Sequence, residues 1–196
     1  MGNVLAIRLA ALVIAAIALW QRNRALGGLA ASLALATAAW TGHAGATEAG
    51  QGALHRASDV LHLLAAATWL GALVLFLAAA LGGRNKGALI RHLTDFARTG
   101  SAIVLLLLAT GLANTLIIAG WPIDWRSEWF ALLAVKLALF LLMLALAAGN
   151  RWRLTPALER DPAGNLRALK LSLLAETGAA LVIVAIVGWL GTLTPV

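Results

Sequence analysis

The sequence predicts an all-α membrane protein, a bundle of six transmembrane helices. Of its 196 residues, 62% are hydrophobic and only 12% are charged, whereas soluble domains carry about a quarter charged residues. Six apolar runs are long enough to cross roughly 30 Å of hydrocarbon at about 1.5 Å per residue, and none alternates as a membrane strand would. These runs fill residues 1–196 as a single transmembrane domain: Val4–Trp20, Ala25–Gly45, Val60–Gly82, Gly100–Gly120, Trp129–Ala148 and Leu171–Leu193.

The first run has the basic and apolar character of a secretory signal. However, Arg8 interrupts it, and the polar segment 21–24 stands where a small-residue cleavage site would be expected. We therefore interpret the run as a retained span, with Arg8 near its outer end and its charged head reaching the membrane surface. The second run ends in Trp40 and His43, and Trp is typical of a membrane–water interface.

Three of the four histidines surround the polar gap between the second and third runs. His43 closes the second run, whereas His55 and His62 begin the third, on one helix face with Asp59 and Trp69. An Asp one turn from a His can fix the tautomer of a metal-ligating imidazole. Imidazole and carboxylate ligands without sulfur suit Cu(II), Zn(II) or haem iron, and the chain has no cysteine. This pattern predicts a metal or cofactor site at His43 and His62, with His55 as a third ligand.

The alternative for the same histidines is a set of polar interfacial residues that hydrogen-bond to neighbouring helices. The fourth and fifth runs add Asn114 and Lys136 at a similar depth, Lys136 lying about 12 Å below Glu128 if each residue rises about 1.5 Å. An ammonium group at that depth costs several kcal/mol unless it is paired, hydrated or able to reach the surface. We therefore expect Lys136 to turn inward, and its approach to the histidines is a hypothesis. The alternative is an interfacial lysine that reaches the membrane surface and has no functional role.

The sixth run contains Glu176, nearer the opposite end of the bundle. We expect this carboxylate to pair with Arg98 or Lys170, and a proton or ion relay is the alternative. Residues 88–97, which precede the fourth run, form an amphipathic stretch. They either extend that run or lie on the membrane surface.

The connecting loops sort by charge. The loops after the first, third and fifth runs carry an excess of Lys and Arg, and the others are neutral or acidic. The positive-inside rule places the basic loops in the cytoplasm, so both termini and the histidine-rich rim are predicted to face outward, towards the periplasm of a bacterium. The net charge of +7 then reflects topology and contact with anionic lipid, and it does not indicate nucleic-acid binding.

Short motifs occur in a fixed order along the chain: TGHA at 41–44, LHLLAAATWLG at 61–71, FAR at 96–98, TGLAN at 110–114, KLALF at 136–140, NRWR at 150–153 and GTLTP at 191–195. Together they resemble the CopD/PcoD family of copper-resistance membrane proteins over about residues 40–196. In this resemblance His43 and His62 match the family's histidines. Asn114, Lys136 and Glu176 match its polar intramembrane positions.

The resemblance implies a multi-pass inner-membrane protein of copper homeostasis that is not an enzyme. Such proteins move copper across the inner membrane, or accept it from a small periplasmic partner of the CopC type. Family members usually have more spans than the six predicted here, which leaves room for an accessory role or a homo-oligomer. The chain contains no nucleotide-binding motif, so any transport would be secondary or facilitated.

Three functions stay open on the sequence. The first is copper binding at the periplasmic face, with import or transfer. The second is an electron-transfer subunit in which His43 and His62 ligate haem b. The third is a structural or assembly membrane protein without a ligand.

Overall fold

The computed structural model describes residues 2–41, 52–82, 85–119, 125–161 and 164–193, and within them it is helical, with no strand. The predicted all-α class is therefore confirmed. A 3₁₀ segment, Thr37–Trp40, follows the second helix, and a π-helical segment, Asn150–Leu154, follows the fifth. The α-helices are α1 (Gly2–Trp20), α2 (Arg24–Ala36), α3 (Gly52–Gly82), α4 (Lys86–Ala119), α5 (Glu128–Gly149), α6 (Thr155–Arg160) and α7 (Leu166–Leu190).

Within the described ranges, five helical stretches are long and apolar enough to cross a membrane: α1, α3, α4, Glu128–Arg160 and α7. Their outer surfaces are rich in leucine, and Leu75 and Leu105 are 70% and 68% exposed. Such exposure suits a lipid environment. The second apolar run differs, because α2 has only 13 residues and the end of the run lies beyond the described residues. Six spans and outward-facing termini therefore remain predictions.

The amphipathic stretch 88–97 belongs to α4, which runs without interruption from Lys86 to Ala119. It therefore extends the fourth apolar run and is not a separate surface helix. Phe96, on the apolar side of this stretch, packs edge-on against Phe76 of α3, with ring centroids 5.3 Å apart.

The chain packs as two compact units, each described by itself. Unit 1 comprises Met1–Ala67 and Leu105–Gly120, and unit 2 comprises Thr68–Val104 and Trp121–Val196. In unit 1, α1 and α2 meet through small buried residues, which allow close helix approach. Gly27 lies close to α1 there, since a Cβ atom at this position would be 2.9 Å from the Leu19 side chain, which would have to move. The turn between these helices places Arg22 in the left-handed region, with φ of 60°.

Arg8 of α1 binds the end of the second helical segment. Its Nε donates to Thr37 Oγ1 at 2.9 Å, and its Nη2 donates to the Thr37 carbonyl at 3.1 Å and to Thr41 Oγ1 at 2.9 Å. A guanidinium is favourable there because the carbonyl groups at a helix end carry partial negative charge. The guanidinium therefore binds the end of a helix, whereas the sequence alone predicted only that it reaches the membrane surface.

In unit 2, α5 and α7 pack through buried apolar side chains that include Leu133, Met143 and Leu173. The π-helical segment continues α5 and carries Arg151, whose Nη1 donates to the Ala97 carbonyl at 3.2 Å and to Ser101 Oγ at 2.7 Å. This segment therefore joins the end of α5 to the middle of α4.

Candidate metal centre and buried polar clusters

The first half of α3 carries a polar face in unit 1. His55 is 1% exposed and Ser58 is 8% exposed, while Asp59 and His62 are half-buried. The face exists because its members are three or four residues apart, close to the helical repeat of about 3.6 residues. An apolar helix segment that buries this many polar groups needs hydrogen-bonding partners on a neighbouring helix.

The second half of α4 supplies those partners. Ser58 Oγ donates to the Thr110 carbonyl at 3.4 Å, and His62 Nδ1 lies 2.9 Å from Thr110 Oγ1. One turn further along α4, Asn114 Nδ2 donates to Asp59 Oδ1 at 3.4 Å. We call this set of five residues the α3–α4 polar seam. The imidazole of His62 is therefore held by the helix opposite it.

Two further contacts define the surroundings of His62. Thr110 Oγ1 donates to the Leu106 carbonyl at 2.6 Å, within its own helix. Next to it, Gly111 leaves the α4 backbone uncovered, and a Cβ atom at this position would lie 3.4 Å from His62 Cε1. The imidazole therefore lies next to two consecutive residues of α4, with Thr110 at its Nδ1 atom and Gly111 near its Cε1 edge.

Asn114 has an unused acceptor. The residue is 9% exposed, and its Oδ1 has no hydrogen-bond partner among the described residues. An unsatisfied buried polar atom costs about 1–3 kcal/mol.

The structure describes only part of the predicted three-histidine site. His43 lies outside the described residues. His55 and His62 are two helical turns apart, about 10.5 Å along the axis. Within the described part of the chain, no group of three His, Cys, Asp or Glu side chains lies close enough to hold a metal ion. The shared ligand set of His43, His62 and His55 therefore stays a prediction.

Trp69 and Lys136 belong to unit 2. Trp69 is buried and its ring packs edge-on against Phe140, with centroids 6.2 Å apart. It is thus part of the aromatic packing of that unit. Lys136 is half-buried, and its predicted approach to the histidines remains a prediction.

Glu176 forms a separate buried cluster in unit 2. Its side chain is 1% exposed, and Oε1 accepts hydrogen bonds from Asn150 Nδ2 and from Ser172 Oγ. The expected pairing with Arg98 or Lys170 is wrong, because the described partners of Glu176 are neutral. Asn150 is itself buried, and its Oδ1 has no partner among the described residues.

Sequence reasoning missed the residues that hold the predicted ones, namely Ser58 and Thr110 in unit 1 and Asn150 and Ser172 in unit 2. A signal existed for Thr110, which stands four residues before Asn114 in TGLAN and therefore on the same helix face. Likewise, Ser172 stands four residues before Glu176. Spacing within one helix indicates a shared face, but it does not name the partner helix.

Comparisons with known proteins give a consistent result. The family model described as copper resistance protein D (CopD) matches residues 90–190. Copper resistance protein D of Pseudomonas syringae pv. tomato is 37% identical over 215 aligned positions, which cover 100% of this chain and 69% of that protein. Inner membrane protein YebZ of Escherichia coli (strain K12) is 34% identical over 125 positions, covering 63% of this chain and 43% of that protein. No solved structure matches the chain.

Proposed function

Because the chain belongs to the copper resistance protein D family, we propose that it binds copper in the bacterial inner membrane and transports or transfers it across that membrane. The names of the two relatives, a copper resistance protein and an inner membrane protein, support the cargo and the location. Neither name describes a catalytic activity. Copper is here the substrate of a membrane protein and not the cofactor of an enzyme.

The observation that carries the proposal is the position of His62. Its imidazole lies in the α3–α4 polar seam, hydrogen-bonded to Thr110 and within two turns of the buried His55. A charged or polar group inside an apolar helix bundle is expensive and is usually functional. Imidazole nitrogen is a good ligand for copper, and in this proposal His62 binds the ion together with His43, with His55 as the third ligand.

The composition of the site favours exchange over permanent storage. The chain has no cysteine and only two methionines, so the soft sulfur ligands that hold Cu(I) tightly are nearly absent. A transport site must release its ion as well as bind it. A small set of histidines at the periplasmic face would therefore accept copper from a CopC-type periplasmic partner and pass it inward, with Asp59, Asn114, Lys136 and Glu176 along the route.

Copper stoichiometry on the detergent-purified protein tests the proposal. We expect His62→Ala and His43→Ala to lose most of the copper that the wild type binds. His92→Ala is the matched control, because His92 is exposed and lies in the part of α4 predicted to be cytoplasmic. Equal copper content in all four proteins would favour the structural alternative. An absorbance spectrum of the same samples tests the haem b alternative, which requires a Soret band.

A further inference from the structure

The buried cluster of Glu176, Asn150 and Ser172 in unit 2 places an acidic group beside an oxygen that accepts no hydrogen bond. Glu176 is 1% exposed, and its hydrogen-bond partners in the described part of the chain are the neutral side chains of Asn150 and Ser172. Asn150 is 6% exposed, and within the same part of the chain its Oδ1 has no partner. Its Nδ2, on the same amide carbon, donates to Glu176 Oε1. The unpartnered amide oxygen therefore lies next to the carboxyl group.

The charged residues of the elements packed against α7, and of α7 itself, do not pair with Glu176. Lys136 of α5 is about 21 Å from Asn150 along the helix axis, at about 1.5 Å per residue. Arg151 of the π-helical segment donates to Ser101 of α4. The other charged residues of α5, the π-helical segment and α7 are Glu128, Arg153, Arg167 and Lys170. None of these side chains, all of which the structure describes, forms an ion pair with Glu176, so an ionised carboxylate there would be an unpaired charge in an apolar bundle, which is expensive.

The acid form of Glu176 accounts for both observations. A carboxylate only accepts hydrogen bonds, whereas a carboxylic acid has one hydrogen to donate and can still accept. The acid form removes the unpaired charge, and it supplies the donor that Asn150 Oδ1 lacks. An ionised carboxylate would instead place another acceptor beside that oxygen. A metal ion fits less well, because the described ranges contain no group of three His, Cys, Asp or Glu side chains close enough to hold one.

We propose that Glu176 and Asn150 form a proton-binding site, in which the acid hydrogen of Glu176 bonds to Asn150 Oδ1 while Asn150 Nδ2 bonds to Glu176 Oε1. Binding adds one proton to the carboxylate, and no bond between heavy atoms forms or breaks. Asn150 begins the π-helical segment, and such segments are frequent at functional sites. Intramembrane carboxyl groups that take up and release protons are typical of pumps and transporters. The site contains none of the predicted copper ligands, so this inference goes beyond the proposed function and does not rest on it.

Infrared spectroscopy of the copper-free protein in detergent tests the site, because a carboxylic acid has a carbonyl stretch that a carboxylate lacks. At neutral pH we expect the wild type to show an acid band that is absent from Glu176→Gln. Glu159→Gln is the matched control, because Glu159 is an exposed glutamate of unit 2, and this variant should keep the band. Asn150→Leu has a side chain of similar size that cannot accept a hydrogen bond. It should shift the band to higher frequency, because the acid hydrogen loses its acceptor.

A wild-type spectrum at neutral pH that matches Glu176→Gln in the acid region would overturn the inference, and so would an unshifted band in Asn150→Leu. If Asn150→Leu does not fold, wild-type protein with ¹³C-labelled asparagine side-chain carbonyls supplies the readout. Alkaline pH, which removes the hydrogen from Glu176, should shift the Asn150 carbonyl band in the wild type but not in Glu176→Gln, and no shift in the wild type would exclude Asn150 as the partner. Failure of the proposed function gives a different pattern, in which the acid band is present and the wild type binds no copper.

Discussion

Replacing Glu176 by glutamine and by alanine separates two roles that a buried carboxyl group can have in a membrane helix. Glu176 Oε1 accepts hydrogen bonds from Asn150 Nδ2 and Ser172 Oγ. Asn150 Oδ1 has no partner among the described residues. Glutamine keeps an accepting oxygen and adds an amide NH2 group, which can donate to the unpartnered Oδ1 of Asn150. Alanine removes the acceptor altogether.

The two substitutions should therefore differ in their effect on the free energy of unfolding. With alanine, a buried asparagine amide loses its described partner, which costs about 1–3 kcal/mol, and the vacated volume adds a packing loss. We expect Glu176→Ala to lower the free energy of unfolding by about 2–4 kcal/mol. Interhelical hydrogen bonds in membranes average about 0.6 kcal/mol, so Glu176→Gln should match the wild type or exceed it by about that amount.

Reversible unfolding in mixed detergent and denaturing surfactant measures both changes. Ser172→Ala is the control, because it removes the 3.4 Å contact and keeps the one between Asn150 and Glu176. Its expected loss is under about 1 kcal/mol. Equal destabilisation by glutamine and alanine would refute the reasoning, because a negative charge would then be what the site requires. A Glu176→Gln protein that is stable but deficient in copper uptake would instead support the proton or ion relay.

Three further predictions concern unit 1. Arg22→Gly should raise the free energy of unfolding by about 1 kcal/mol, since φ is 60° at this residue and a left-handed backbone costs a side-chain-bearing residue about 1–2 kcal/mol; a lower melting temperature would contradict this. Gly111→Leu should displace the His62 ring and lower copper affinity at least about tenfold in a titration. Wild-type affinity would show that Gly111 does not determine the position of the ring. In a double-mutant cycle, Arg8→Gln and Thr37→Val should couple by about 1 kcal/mol in unfolding free energy. Additive effects would show that the hydrogen bond between Arg8 Nε and Thr37 Oγ1 contributes nothing.

Hydropathy predicted the ends of some membrane helices closely and missed the ends of others. The fifth run, Trp129–Ala148, differs from α5 by one residue at each end. The third run was predicted to begin at Val60, but α3 begins at Gly52. The eight additional residues include His55 and Ser58, which are polar yet buried. Hydropathy counts such residues as outside the membrane helix because it does not register a neighbouring helix that satisfies them.

The sequence predicted which candidate-site residues lie at a similar depth in the bundle, but not which residues of neighbouring helices they contact. Counting residues placed Asn114 near the level of His62, and the structure joins Asn114 to Asp59 and His62 to Thr110. Counting could not identify the neutral partners, because a hydroxyl or amide carries no charge pattern. The wrong pairing of Glu176 has the same cause. Because Glu176 is acidic, a cationic partner was expected, whereas its partner is the buried side-chain amide of Asn150 in the π-helical segment.

The π-helical segment Asn150–Leu154 is a place where the chain can lose one residue without changing the packing of the helix on either side. A π-turn contains one residue more than the α-helical turn it replaces, so a single deletion inside it would restore regular helix and leave both flanks in phase. A deletion elsewhere in α5 would rotate the following residues by about 100°. It would swing Asn150 away from Glu176, and Arg151 away from Ser101. Homologues that differ by one residue in this helix should therefore align with their gap at this bulge.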